Sequence, residues 1–208
     1  IATADGLARY ERGAFVRVPG IHGPVLALAP ASDAAVWMGT PDGLARAGRA
    51  GREDVAMEGD GAELSFVHAL LPRADGLWIG ARQGLFELRA GKRRLVLGPD
   101  DPRDRLTIRA LHEDADGVLW AGVQGGWLVR ISGDERERSL IDLGAERAVY
   151  AVRRDRAGHL WAATSTGLVE WTAQAARRFS QAEGLCDPRV TSLLEDREGH
   201  LWVGTMDG

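Results

Sequence analysis

Residues Glu195–Gly208 read E-D-R-E-G-H-L-W-V-G-T-M-D-G. The order is a strand end, a tight turn, a short apolar strand and a second tight turn. Its landmarks recur through the chain. Trp202 has counterparts at Trp161, Trp120, Trp78 and Trp37, at spacings of 41, 41, 42 and 41 residues. The glycine closing the second turn recurs as Gly6, Gly43, Gly84, Gly126, Gly167 and Gly208. A period in the low forties sets the architecture, because each unit must bury its apolar face against its neighbours.

One full period runs over residues 149–190. Ala148–Arg153 is rich in β-formers, and Asp155–His159 carries turn chemistry. Leu160–Thr164 is a short strand, Ser165–Gly167 turns the chain, Leu168–Thr172 runs back, and Ala176–Ser180 is a fourth, more polar strand. Four short strands per repeat predict the blade of a β-propeller. The expected fold is therefore all-β: four-stranded antiparallel blades in five repeats of about 41 residues. These form one propeller segment over residues 1–208, with repeats centred on Trp37, Trp78, Trp120, Trp161 and Trp202. The other outer strands are expected at Ala14–Val18, Glu53–Met57, Lys92–Leu97 and Ser139–Leu143. Each Trp is expected in the wedge between neighbouring blades, where an aromatic buries about 150–250 Å². The turn aspartates Asp114, Asp155 and Asp196 are expected to accept backbone N–H groups, and the turn glycines to take positive φ.

Composition narrows the partners. The 27 glycines sit mainly at turns, and the formal net charge is −4 with no basic stripe, which argues against nucleic acid. Cys186 is alone, so there is neither an internal disulfide nor a cysteine metal cluster. No run of 18 apolar residues is present, so no membrane contact is expected of this segment. The chain begins at Ile1 in mid-repeat and stops inside a repeat at Gly208, which reads as part of a larger protein.

The sequence V-T-S-L-L-E-D-R-E-G-H-L-W-V-G-T-M-D-G over 190–208, preceded by F-S-Q-A-E-G-L-C-D-P-R, resembles the two-component regulator propeller repeat. The match is nearly complete over 179–208 and good over 105–128 and 147–169. Over 65–86 it is interrupted by a shortened turn, and over 24–45 it is weakest, with Ala34 where Gly is usual. The resemblance implies a large propeller, usually seven-bladed, in the extracytoplasmic (periplasmic) half of a bacterial membrane sensor. The parent's output is then a histidine kinase or a diguanylate cyclase. Five repeats suit an arc cut from such a ring; the alternative is a closed five-bladed ring, with 190–205 and 7–18 sharing one blade.

No catalytic motif is present: no G-x-S-x-G, no H-E-x-x-H and no phosphate loop. No catalytic residue, metal or cofactor is assigned. His159 and His200 occupy equivalent turn positions, which favours a repeated turn residue over a ligand pair. Asp114–Gly117 looks like a fragment of a calcium loop without its downstream Glu, so a plain turn is the simpler reading. Trp127 and Trp171 on third strands read as packing residues, with sugar stacking as the lesser alternative.

The informative positions are those that differ between copies. Within the inner strands these are His68, Arg109, Tyr150 and Thr191, with Leu26 in the first repeat. In a ring they approach the central axis and could line a pocket for a small polar ligand. Arg105, Arg147 and Arg189 precede the inner strands and could line the rim of the same mouth for an anionic ligand such as an acidic sugar. The expected function is a non-catalytic, ligand-sensing propeller of a transmembrane signalling receptor, with a small molecule or oligosaccharide as signal. The parent receptor is expected to form a homodimer. The alternatives are a propeller lyase or glycosidase, or a pure protein-interaction ring.

Overall fold

The computed structural model describes all residues except 32, 54, 56, 60–62, 99–105, 133–136, 144–147, 173, 174 and 208, with backbone alone for 137–140. The chain divides into two compact units, Ile1–Ile108 and Arg109–Gly208.

The first unit contains three sheets. β1 (Ala2–Thr3), β2 (Gly6–Glu11) and β3 (Ala14–Arg17) form one. β4 (Ala27–Pro30), β5 (Val36–Thr40), β6 (Gly43–Gly48) and β7 (Gly51–Glu53) form a four-stranded meander. β8 (Glu58–Gly59), β9 (Ala69–Arg73), β10 (Gly76–Ala81), β11 (Gly84–Arg89) and β12 (Lys92–Leu97) form the third, in the order β8-β12-β11-β10-β9. The second unit continues with β13 (Ile108–Glu113), whose first residue belongs to the first unit, β14 (Leu119–Val123), β15 (Trp127–Ser132) and β16 (Glu137–Asp142). It then has β17 (Val149–Arg154), β18 (Leu160–Thr164), β19 (Gly167–Trp171) and β20 (Ala176–Phe179), and ends with β21 (Val190–Glu195) and β22 (Leu201–Thr205). The first two groups are antiparallel four-stranded blades, and β21–β22 is a two-stranded sheet.

The all-β expectation holds strand by strand in the fourth repeat, where the Trp161 strand runs over Leu160–Thr164 as read from sequence. The first repeat departs from it. Its outer strand is described over Gly51–Glu53, upstream of the expected Glu53–Met57, of which residues 54 and 56 lie outside the described residues, and Glu58–Gly59 pairs in parallel with Lys92 and Arg93 on the outer edge of the next sheet. A strap of this kind covers an otherwise bare edge, which is a liability in any open sheet. The expected loop 181–188 carries a short 3-10 turn, Gln181–Glu183. Ser180 caps it, and Glu183 bonds back to the Ser180 N–H at 2.7 Å. The S-x-x-E pattern that makes this capping box is visible in sequence.

Between sheets the contact is set by one small residue. Two positions after each Trp stands Gly39, Gly80, Gly122 or Ala163. A Cβ at Gly80 would lie 2.7 Å from Ile108 Cγ2, and one at Gly122 would lie 2.7 Å from Val149 Cγ1. At Gly39 it would meet the Val67 carbonyl. The first residue of the following inner strand thus presses into the space a side chain would occupy. Val67, Ile108, Val149 and Val190 are all fully buried as a result.

The tryptophans cap this contact. Trp120 shares a cluster with Val152 and Leu160 of the following sheet. Trp161 packs against the cluster of Ala163, Leu168 and Val190, and Trp37 against the cluster that includes Leu77 and Ile79. Trp202 differs from expectation: it is 62% exposed, because no further sheet follows β21–β22 to cover it.

The turn glycines have two separate reasons. Gly117, Gly158 and Gly199 take φ of 75°, 89° and 89° in the first turn. In the weakest repeat Ala34 takes the same left-handed conformation, at φ 61°. The second-turn glycines add close approach: a Cβ at Gly6 would lie 2.6 Å from the Ile21 carbonyl oxygen, and one at Gly43 would lie 2.8 Å from that of Leu64. Gly158 has only an Arg154 side-chain atom within 4 Å of its hypothetical Cβ, so it isolates the backbone effect. Gly158→Ala is expected to destabilise by about 1–2 kcal/mol, and Ala34→Gly to raise the thermal midpoint. Calorimetry of both variants checks the pair.

Candidate functional site

The inner strands carry the sequence-predicted axial residues, and backbone register explains why those positions vary. In β17, Val149 pairs with Thr164 and Ala151 with Ala163, leaving Tyr150 unpaired in a β-bulge. In β21, Val190 pairs with Thr205 and Ser192 with Gly204, leaving Thr191 in the same bulge. His68 donates its N–H to the Gly80 carbonyl (2.9 Å), while Ala69 also pairs with Gly80. Leu26 and Ala27 share Gly39 in the same way. Two residues opposite one are the mark of a bulge, which re-aims the extra side chain away from the regular pleat. Flanking residues are bound to the inter-blade contact; the bulged one is not.

In the second unit two of these residues meet. The Arg109 guanidinium lies 5.9 Å from the Tyr150 ring centroid, and its Nε donates to Gln124 Oε1 in the turn after β14. Both residues are half-buried. An arginine stacked on a tyrosine and held by a neutral amide keeps N–H groups for an anion or a hydroxyl-rich ligand. Thr191 is exposed, and its hydroxyl donates to the Gly204 carbonyl at 3.2 Å. In the first unit His68 is half-buried, with its ring 6.4 Å from that of Phe66. Of the rim arginines, Arg189 is exposed, with its backbone N–H on Asp187. Arg105 and Arg147 lie outside the described residues.

At the other turns a different set of polar groups gathers, and its role is structural. Asp114 Oδ1 accepts the N–H groups of Asp116 and Val118, each at 3.0 Å. Its Oδ2 accepts Trp120 Nε1 at 3.0 Å. Asp155 binds Trp161 Nε1 at 2.7 Å and the His159 N–H at 2.8 Å, and Asp196 binds Trp202 Nε1 and the His200 N–H at 2.8 and 2.9 Å. The sequence reading found the backbone role of these aspartates but missed the indole. A recurrent Asp six residues before Trp was the available signal. In the first unit Ala31 stands six residues before Trp37 and the turn before Trp78 is one residue shorter, so no aspartate is in place, and arginine substitutes: Arg46 stacks 5.6 Å from Trp37 and Arg73 lies 5.1 Å from Trp78.

The calcium-loop fragment is a turn, as its missing Glu implied. Arg154 Nη1 sits 2.9 Å from both Asp114 Oδ2 and Asp116 Oδ2, so a cation from the next blade already fills the space. His159 and His200 place Nδ1 3.3 and 3.2 Å from the same turn aspartates. Ligand atoms of Asp196, Glu198 and His200 lie within 4.8 Å of one another. The Asp196 carboxylate, however, is committed to the indole and to two backbone donors, so the group reads as a turn and not as a metal site. Trp171 packs against the cluster built on Trp120 and Leu160.

These bonds lower the aspartate pKa values. For Asp196 the Trp202 indole is the main cause, and its pKa falls from 3.8 to about 2. For Asp114 and Asp155 burial pushes the carboxyl up, but the indole, backbone and, at Asp114, Arg154 donors together outweigh it. His112 moves down, through burial first and the nearby Arg153 second, against the pull of Asp114. A carboxyl that titrates lower in the folded than in the unfolded chain holds fewer protons when folded. Its stabilisation is complete above the unfolded value and is lost as pH falls through the folded one. Thermal stability is therefore expected to drop between about pH 4 and pH 2, and Asp155→Asn, which keeps the shape, should shrink that drop. Midpoints measured across this range test it.

With the geometry in view, comparison with known proteins is direct. Residues 184–207 match the family model "Two component regulator propeller". The chain thus carries the repeat that its sequence resembles. No curated protein matches the chain. Among solved structures, the extracellular domain of a putative one component system from B. thetaiotaomicron superposes with a TM-score of 0.80 at 17% identity, covering 98% of this chain and 29% of that one. The extracellular domain of a putative hybrid two component system from the same organism gives 0.75 at 24% identity, covering 96% and 29%. The WD40 beta propeller domain of Doa1 gives 0.69 at 14%, covering 92% and 64%. The chain thus spans under a third of the first two structures. At these identities the likeness establishes the β-propeller fold, and residues 184–207 match the two component regulator propeller repeat.

Proposed function

We propose that this chain is a non-catalytic, ligand-sensing part of an extracytoplasmic propeller in a bacterial signalling receptor. The observation that carries the reading is the β-bulge at the variable inner-strand position. It frees Tyr150 and Thr191 in the second unit from packing duty, and Arg109, the matching inner-strand position of the preceding blade, stacks on the Tyr150 ring. The resemblance to extracellular domains of bacterial one- and two-component systems supports the sensor setting. No helix among the described residues is long and apolar enough to cross a membrane, so in this reading the membrane anchor belongs to the rest of the parent.

In this reading the signal is a small polar molecule or an oligosaccharide. In the second unit Arg109 and Tyr150 contact it, with Thr191 and Arg189 as further contacts. The segment lies on the periplasmic side as part of a longer ring. The parent dimerises and carries a histidine kinase or diguanylate cyclase as output.

The test is a double substitution, Arg109→Ala with Tyr150→Ala, in the parent receptor. Signal response is expected to be lost, while the isolated chain melts within about 1 kcal/mol of the parent, the scale of an exposed cation–π pair. Full signalling by the double variant would refute the axial site.

A further inference from the structure

One residue breaks the pattern of its repeat. Phe66 precedes the inner strand of the third sheet, a position taken elsewhere by Pro24, Thr107, Ala148 and Arg189. None of those four is in the left-handed region, whereas Phe66 has φ 48°. A bulky side chain in that conformation costs roughly 1–2 kcal/mol. Packing does not repay it, because the ring is 40% exposed.

The surroundings hold the strain in place. The Gln83 amide clamps Ser65, accepting its N–H at 3.0 Å and donating to its hydroxyl at 2.6 Å. The Arg82 N–H donates to the Ser65 carbonyl at 3.2 Å, the Phe66 N–H to the Pro41 carbonyl at 2.9 Å, and the Val67 N–H to the Thr40 carbonyl at 3.1 Å. Five hydrogen bonds fix the backbone on both sides of one ring. Backbone strain that is over-determined in this way is characteristic of ligand clamps.

Over that ring lies a cation. The Arg82 guanidinium carbon is 5.6 Å from the Phe66 centroid, and the His68 ring stands 6.4 Å away on the same surface. Arg82 is exposed, and among the described residues no carboxylate pairs with it. Stacking on an aromatic ring orients a guanidinium and leaves its in-plane N–H fork open, the geometry that grips a carboxylate with two bonds.

We propose that Phe66 and Arg82 form a second binding site, in the first unit, for a carboxylate attached to a six-membered ring. The carboxylate takes the Arg82 fork, the ring lies against the exposed part of Phe66, and His68 flanks it. The site is independent of Arg109 and Tyr150. Aromatic acids and uronic acids share this chemistry.

Titration of the 208-residue chain with phenylacetate, glucuronate and their uncharged counterparts phenylacetamide and glucose, followed by ligand-detected NMR, tests it. At least one acid is expected to bind, with its uncharged counterpart weaker by about tenfold or more; which acid binds identifies the source. Arg82→Gln and Phe66→Asn should each weaken binding by about tenfold. Asparagine accepts positive φ, so Phe66→Asn should melt no lower than the parent, whereas loss of a packing residue would lower the midpoint. Arg109→Ala should leave this binding intact, which separates the site from the axial one. Absence of binding by both acids would overturn the proposal, as would unchanged binding in Phe66→Asn.

Discussion

The fold depends on a close approach between neighbouring sheets. Gly39, Gly80, Gly122 and Ala163 carry little or no side chain, and the next inner strand presses Val67, Ile108, Val149 or Val190 into the space that remains. Interiors are packed to crystal density, so one added methyl has no room without displacing a neighbour. The other recurrent features follow from this seam. The tryptophan two residues earlier covers it, and the turn aspartate accepts the tryptophan's indole N–H or an arginine stacks on its ring.

The seam also explains where freedom remains. Residues on either side of the bulge are buried or hydrogen-bonded in register, so their size is constrained. The bulged residue is outside the ladder and can be leucine, histidine, tyrosine or threonine. The scaffold thereby separates stability from recognition, since the groups that build each blade are repeated and those available for binding are not. Phe66 follows a related logic: its conformation is enforced by neighbours and it contributes little packing of its own.

Much of this was legible in the sequence because it is written several times. The Trp161 strand matches residue for residue and the strand after it falls within one residue of its expected place, since period and turn chemistry leave few alternatives. The outer strand of the first repeat begins earlier than its sequence suggests, because polar edge residues such as Glu53 and Glu58 carry no alternation to fix register. The inner-strand positions were identified by their variation, but the bulge that frees them depends on pairing, which one strand's sequence does not encode. Phe66 was overlooked for the same reason: its φ and its contact with Arg82 arise from the fold and not from a local pattern.

The central claim is that the bulged position is free of packing duty while the small residue facing the next blade is not. Thermal unfolding of Tyr150→Thr beside Gly122→Ala tests it most directly. At Gly122 the new methyl would lie 2.7 Å from Val149 Cγ1 and 3.1 Å from Ala110 Cβ. The account predicts that Gly122→Ala costs about 1–3 kcal/mol and that Tyr150→Thr costs less than about 1 kcal/mol, the scale of its contact with Arg109. Equal losses, or a larger loss at Tyr150, would contradict it.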